Sequence, residues 1–476
     1  MLKNTIAKNV TLSFLGDIFV KFIGFLVVIA IARFLGDASL GTYSFIITLV
    51  WIVFKISELG LDMIIRRDVA REKEKVNNAF FSNILSLRIL TAILAFLITL
   101  SIIYLTQKPT EVKNLTFIAA LGMVFFNIGM IFRSAFYALQ KMRYEVVVKI
   151  ISNIVFLLGI LFLFFGFGLK MIFVFLFLRY FLSLVLSFFL FKRKIAREIK
   201  LNVSIKKWKT IIKESYFYWL ITGISILYFK IDIILLSFLQ NETVVGWYTG
   251  GYRIIDMISL IPVTIVSTIF PVMSELFITS KEKLKKLYKV AFRYLLITAL
   301  AIVIFFTILA NPIVNLLYGD SFTNSALVLK VLILAQALMF ITLLISNLLG
   351  AINKQKSVVI TSAIALFINI LLNLMLIPKY SFMGAGWATL IAEIINVIIL
   401  VILGIKYFDK PELSSTARIM LAFLLSGAFF FILNLQNLWI AAILTLLSYI
   451  ILLLLFKVIK KEDFLLLMSI KREKTI

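Results

Sequence analysis

Unbroken apolar runs, each about 20 residues or longer, alternate along this chain with short polar gaps. The run itself, rather than any period within it, is the dominant signal. Read in windows of about 19 residues, the runs fall near 10–33, 40–59, 79–106, 115–138, 146–167, 171–191, 214–239, 246–274, 290–311, 325–351, 357–377, 383–405, 415–434 and 437–457. As a helix each can cross roughly 30 Å of hydrocarbon at about 1.5 Å per residue, and in lipid a helix satisfies its own backbone groups within one segment. The period-two alternation of a barrel strand is missing, and stretches such as 155–167 and 450–456 have no polar face. The pattern predicts an all-α polytopic membrane protein of about fourteen transmembrane helices. Lys3 and Lys8 precede a first run that has no small-residue cleavage pattern, so that run is read as the first span and not as a removable signal.

Composition agrees: 62% of the 476 residues are hydrophobic and the mean hydropathy is +1.09, more apolar surface than one soluble core can bury. A net charge of +26 raises the question of nucleic acid, and its placement answers it. Of 49 Lys and Arg, 35 lie at the termini and in every second gap, five lie in the other gaps, and nine lie inside spans. That bias is the positive-inside rule, and it predicts the cytoplasmic membrane with both termini in the cytoplasm. The densest gap, Lys192 to Lys213, reads as an anchor against anionic headgroups. A nucleic-acid arm would not follow membrane sidedness, so no nucleic-acid partner is expected. The chain has neither Cys nor His, and its extracytoplasmic gaps are short. No catalytic residue, metal site or cofactor is therefore expected, and the chain is read as a non-enzyme.

The gap near residue 200 divides the spans into six, six and two, which predicts an N-terminal lobe at 1–205, a second lobe at 206–410, and two additional helices with a basic tail at 411–476. Phe34-Leu35-Gly36-Asp37-Ala38-Ser39-Leu40-Gly41-Thr42-Tyr43 resembles Phe238-Leu239-Gln240-Asn241-Glu242-Thr243-Val244-Val245-Gly246-Trp247-Tyr248 with one insertion. Both follow an odd-numbered span, so the match suggests a parallel repeat about an axis along the membrane normal.

Other segments carry a family resemblance. Asn369-Ile370-Leu371-Leu372-Asn373-Leu374, Ile377-Pro378-Lys379-Tyr380 and Gly384-Ala385-Gly386-Trp387-Ala388-Thr389 resemble the signature of polysaccharide flippases in the multidrug/oligosaccharidyl-lipid/polysaccharide exporter superfamily. Gly36 to Tyr43, Arg66-Arg67-Asp68-Val69-Ala70-Arg71, Phe270-Pro271-Val272 and Leu317-Tyr318-Gly319-Asp320-Ser321-Phe322 are similar to the family's loops in order. Ser381 stands where the family often has Gly. The resemblance implies a MATE-like fold of two pseudo-symmetric six-helix lobes. It also implies a flippase that moves lipid-diphosphate-linked oligosaccharide or polysaccharide repeat units outward by alternating access, with the polyprenyl tail in lipid. Its partners would be that lipid-linked sugar, membrane lipids, H+ or Na+, and glycosyltransferases of the same pathway. A MATE-like ion-coupled exporter of small cationic compounds is the alternative.

Charges inside the spans are the residues to weigh, because each costs about 2.5–3.5 kcal/mol at mid-bilayer even on insertion scales. Lys21, Lys230 and Arg253 are the first candidates for the diphosphate, with Arg88 and Arg133 as second choices that can equally snorkel from near a span end. Tyr252, beside Arg253, is a candidate for sugar stacking. Asp17, Asp232, Asp256 and Glu393 are read as ion-coupling or charge-pairing groups. Asp17 with Lys21 at i,i+4, and Arg253 with Asp256 at i,i+3, can instead neutralise each other on one helix face. Pro262 and Pro271 predict a bend in the eighth span.

Overall fold

The computed structural model describes residues 2–71, 78–195, 203–460 and 463, with side chains from residue 11 onward and, in α3, from residue 80. Part of the basic gap at 192–213 and the basic tail beyond 463 lie outside the described residues. Among the described residues the chain is helical, without strands. Its helices are α1 (Leu2–Ser57), α2 (Leu61–Arg71), α3 (Asn78–Leu105), α4 (Thr110–Ala138), α5 (Met142–Phe164), α6 (Leu169–Lys194) and α7 (Ile205–Leu239). After them come α8 (Glu242–Ile258), α9 (Leu260–Thr279), α10 (Lys281–Tyr318), α11 (Thr323–Ala351), α12 (Gln355–Tyr407), α13 (Leu413–Leu433) and α14 (Leu438–Leu455).

Twelve stretches are long and apolar enough to cross a membrane, and two of them, Thr11–Ser57 with 47 residues and Gln355–Tyr407 with 53, are twice as long as one crossing needs. Each of the two breaks near its middle, at Gly36 (φ 80°, ψ −174°) and at Ser381 (φ 52°, ψ −135°). Divided at these kinks, the twelve stretches give fourteen apolar helical segments among the described residues, the number expected of a multi-pass membrane protein of this pattern. Glycine reaches the Gly36 conformation without strain, whereas Ser381 occupies a left-handed region that a side chain disfavours. The helix of the eighth span is interrupted at Ser259, between α8 and α9, where Pro262 has no N–H to offer the carbonyl four residues back; Ser259 itself keeps helical φ and ψ (−57°, −20°), and Pro271 lies inside α9 without a break. Lipid as solvent explains why Leu90, Leu94, Leu97 and Ile98 form an exposed apolar stripe on α3.

Two compact units divide the chain, Met1–Gly246 and Trp247–Ile476. In the first, α4 and α6 approach closely because Gly122 and Gly129, two turns apart, face the α6 backbone: a methyl at either would lie 3.1 Å from the Phe177 Cα or 3.2 Å from the Leu184 Cα. The short helix α2 is too polar to span. Its Leu61, Ile64, Ile65 and Val69 are buried against Phe81, Ile84 and Leu85 of α3 and Ile131, Phe132 and Phe136 of α4.

The repeated loop segments meet within this unit. A methyl on Gly41 would overlap the Glu242 carbonyl, reaching 2.6 Å from its carbon. One on Gly246 would overlap the Asp37 carbonyl, 2.8 Å from its carbon. Gly41 and Gly246 are the equivalent residues of the two loop segments, so each copy places its glycine on the other's backbone. Beside them Lys108 donates to Glu242 at 2.7 Å and to the Ser237 carbonyl at 2.6 Å, and Phe45 meets Phe238 edge-on at 5.7 Å.

In the second unit α13 and α14 pack on α10 through Ile419, Ala422, Tyr449 and Leu453 against Leu300 and Ile304. Arg293 of α10, 5% exposed, fixes them: it donates to Asp463 at 2.9 Å, to Glu412 at 2.8 Å and to the Val458 carbonyl at 3.3 Å. Lys460 reaches the same Glu412 at 3.2 Å, and these cations, with Ser415, hold the Glu412 carboxyl below its ordinary range despite its partial burial.

Candidate functional site

Charges buried in the first unit form two networks. One joins α1, α4 and α5. Arg133 grips Glu145 with two hydrogen bonds of 2.8 and 2.7 Å, the parallel fork that a guanidinium makes with a carboxylate. Lys149, one turn beyond Glu145, approaches the same carboxylate at 3.3 Å and donates to the Tyr137 hydroxyl at 2.9 Å and to Asp17 at 2.7 Å. Asp17 is thus taken by Lys149 of α5, and not by Lys21 one turn along its own helix. Arg133 and Lys149 balance Glu145, which is buried with them, and Asp17, whose side chain is 56% exposed. Lys21 is exposed in the first crossing and makes no ion pair among the described residues. The Arg66 guanidinium lies 4.4 Å from the centre of the Tyr137 ring, on which Lys149 also closes at 5.5 Å.

Arg88 anchors the other network, where α1 turns into α2. It is 1% exposed and spends three N–H groups on Asp62 (2.8 Å), the Glu58 carbonyl (3.2 Å) and the Asn127 carbonyl (3.1 Å). Lys55 pairs with the Glu58 side chain. Burial and the neighbouring Asp62 carboxylate push the Glu58 carboxyl up to about 7. Burial acts on Asp62 in the same sense, but Arg88 and then Lys55 hold it below its ordinary value.

On α7, Lys230 is half-buried and Asp232 is buried, and two residues of separation turn them to different faces. Arg179 of α6 is held by rings, 5.1 Å from the centre of Phe156 and 5.4 Å from that of Tyr180. In the second unit Arg253 and Asp256 form the i,i+3 pair at 3.5 Å, and Tyr252, 9% exposed, stacks on Tyr248 at 6.0 Å. Glu393 is fully buried and accepts from the Thr342 hydroxyl at 2.5 Å and the Asn396 amide at 3.4 Å.

Glu58, Asp62, Glu145 and Lys149 were not among the sequence candidates, because each lies at the soft edge of an apolar run and reads as solvated gap. For one pair a signal was present: Glu145 and Lys149 are spaced by four residues, the interval that puts ionisable groups on one helix face, whereas Glu58 and Asp62 flank the elbow at Leu59 and Gly60, where that rule does not apply.

A family model described as polysaccharide biosynthesis protein matches residues 6–277. A probable low-salt glycan biosynthesis flippase of Haloferax volcanii, Agl15, is 25% identical over 175 residues, which is 36% of this chain. The chain spans only 37% of that relative's length in the match. Among solved structures, the lipid II flippase MurJ in an inward closed conformation superposes with a TM-score of 0.76 at 20% identity, covering 96% of this chain and 100% of that one. An inward-facing multidrug resistance MATE family transporter of the MOP superfamily superposes with a TM-score of 0.66 at 15% identity, over 81% of this chain and 94% of that one. At these identities the two structures speak to the fold alone, which is MATE-like.

Proposed function

The chain belongs to the polysaccharide biosynthesis protein family, and from that premise we propose that it is a flippase carrying lipid-diphosphate-linked oligosaccharide or repeat units from the cytoplasmic to the outer face of the cell membrane. The lobes proposed for alternating access are the six-span halves 1–205 and 206–410, with residues 411–476 as an addition and both termini cytoplasmic. Lys21 and Lys230, and in the second unit Arg253, are the cations proposed to take the diphosphate during transport. Arg88 and Arg133 rank behind them because each already has a buried carboxylate partner.

The observation that carries the anionic cargo is Lys21. A charge inside a span is costly unless something compensates it, and the carboxylate one turn away is already engaged by Lys149. A diphosphate supplies the missing counter-charge. Export of small cationic compounds is favoured by the likeness to the multidrug transporter, but an exposed unpaired lysine repels such a cargo. Asp17, Asp232, Asp256 and Glu393 are proposed to pair charges or to bind a coupling H+ or Na+.

The test is translocation of a fluorescent polyprenyl-diphosphate oligosaccharide in proteoliposomes. Lys21→Ala, Lys230→Ala and Arg253→Ala are each expected to lower the initial rate at least tenfold with normal insertion. Wild-type rates in all three would overturn the site, and efflux of a cationic dye without movement of the lipid would overturn the cargo.

A further inference from the structure

We propose that Glu58 and Asp62 form a proton-binding site: the two carboxyl groups share one exchangeable proton, taken up from the cytoplasmic side, and its gain or loss switches the elbow between α1 and α2. The inference stands apart from the identity of the cargo.

The geometry brings the two acids together in a buried place. Glu58 and Asp62 are 6% and 5% exposed, and their carboxyl groups lie within hydrogen-bonding reach of each other. Two carboxylate oxygens so placed are both acceptors, and the contact is a hydrogen bond only with a proton between them. Cations surround the pair, so it can exist with or without the proton. From α1 comes Lys55, from α2 Arg66, from α3 Arg88, and from α4 Arg133, already gripped by Glu145, while α7 brings Ser215, Tyr218 and Trp219 to Gly60. Lys55 and Arg88 directly pair with Glu58 and Asp62, so the pair is neutral when both acids are ionised and carries one positive charge when one is protonated.

A second observation comes from Asn127, 5% exposed, which donates to the Phe54 carbonyl at 3.3 Å in the last turn of α1 while its own carbonyl accepts from Arg88. The Oδ1 atom of Asn127 is buried without a hydrogen-bond partner. Asn127 thus ties α4 to the end of α1 through its amide and meets the network through the backbone carbonyl that Arg88 reaches.

The elbow is built to respond. Leu59 and Gly60 both have positive φ (54° and 72°), and a methyl on Gly60 would lie 2.8 Å from the Ser215 carbonyl oxygen and 2.9 Å from the Trp219 nitrogen. Trp219 also donates from its ring to the Ile56 carbonyl at 2.7 Å. A proton on Glu58 frees Lys55 from its carboxylate at the point where α1, α2 and α7 meet. Arg66, which acts on Asp62, stacks on Tyr137, and Tyr137 accepts from the lysine that holds Asp17. The elbow is thereby linked to the first half of α1.

The chain contains no cysteine, so a single label is unambiguous. Infrared difference spectra of the protein in nanodiscs between about pH 5 and about pH 9 are expected to show one protonated-carboxyl C=O band lost as pH rises through about 7, and Glu58→Gln is expected to delete it. A spin label at Met63→Cys, beside Asp62 and 44% exposed, is expected to change mobility over the same pH range. It should stay at its low-pH value in the Glu58→Gln background. A carboxyl band that survives both Glu58→Gln and Asp62→Asn, or a wild-type label indifferent to pH, would overturn the proposal. Should Glu58→Gln fail to fold, the label on otherwise wild-type protein decides alone.

Discussion

Gly41→Ala is the most discriminating small change the structure offers. The added methyl would overlap the Glu242 carbonyl, and the obstacle is backbone, which has no rotamer into which to retreat. Restoring ordinary contact needs α1 and the start of α8 to part by more than an ångström, which strips the fit around Leu40 and Val245, both fully buried. Overpacking of this kind costs about 1–3 kcal/mol, and a rigid partner puts this site at the upper end. About 3 kcal/mol is a shift of more than a hundredfold between a state that keeps the contact and one that lacks it. If the contact opens during transport, the variant remains folded and abandons it. The assay is a short bifunctional crosslink between Phe45→Cys and Phe238→Cys, whose native rings sit 5.7 Å apart in a chain without other cysteines. Its yield is expected to fall at least tenfold in Gly41→Ala with the melting temperature in detergent little changed. Gly24→Ala in the same helix is the control, since a methyl there meets nothing within 4 Å. A wild-type crosslink yield in Gly41→Ala would refute the close approach, and an equal loss of yield in Gly24→Ala would refute its attribution to this contact.

Arg293→Ala leaves Asp463 and Glu412 without their shared guanidinium, a loss of about 3–5 kcal/mol for a buried pair. Hydrogen exchange should therefore rise in α13 and α14 while α3 to α6 stay protected, and uniform protection would contradict the latch. Ser381→Gly relieves a disfavoured backbone conformation and should raise stability by about 1 kcal/mol, read as a higher melting temperature, where a lower one would show that the serine hydroxyl matters more than the strain. The Glu58 carboxyl is raised in the folded protein from 4.5 to about 7, so between these values the folded state holds a proton that the unfolded chain has lost. Its contribution is complete below 4.5 and lost as pH rises through 7, a fall of up to about 3 kcal/mol that Glu58→Gln should flatten. Asp62, lowered from 3.8, acts in the opposite sense: its stabilisation is present above that value and lost as pH falls below it.

The crossings were legible because the bilayer asks only for length and apolarity, which a window reads directly. The kinks were legible in part. Gly36 punctuates the first long helix, whereas Ser381 is a residue whose type gives no hint of positive φ, and only its place where the family often has Gly marked it. The charge partners were not legible. Asp17 has a lysine one turn away and takes a different one from α5, because which cation reaches a carboxylate depends on how α1 lies against α5 and not on spacing along α1. Arg88 and Arg133 looked able to snorkel, yet each is buried with its carboxylate. Those carboxylates sit at span edges, where the alternation of runs and gaps carries no information about burial.

The repeated loop shows what such a pattern can and cannot carry. Similarity between Gly36–Tyr43 and Gln240–Tyr248 said that the two segments are equivalent, but similarity contains no distance. A parallel repeat adds the missing step. Equivalent segments related by an axis along the membrane normal lie at equal distances from it, and if one touches the other near the axis, the contact must be returned. Gly41 against Glu242 then requires Gly246 against Asp37, and both approaches are present. Because the two glycines serve one reciprocal contact, Gly246→Ala should reproduce the crosslinking defect of Gly41→Ala. The double variant should cost less than the sum of the singles, since whichever methyl acts first has already parted the backbones.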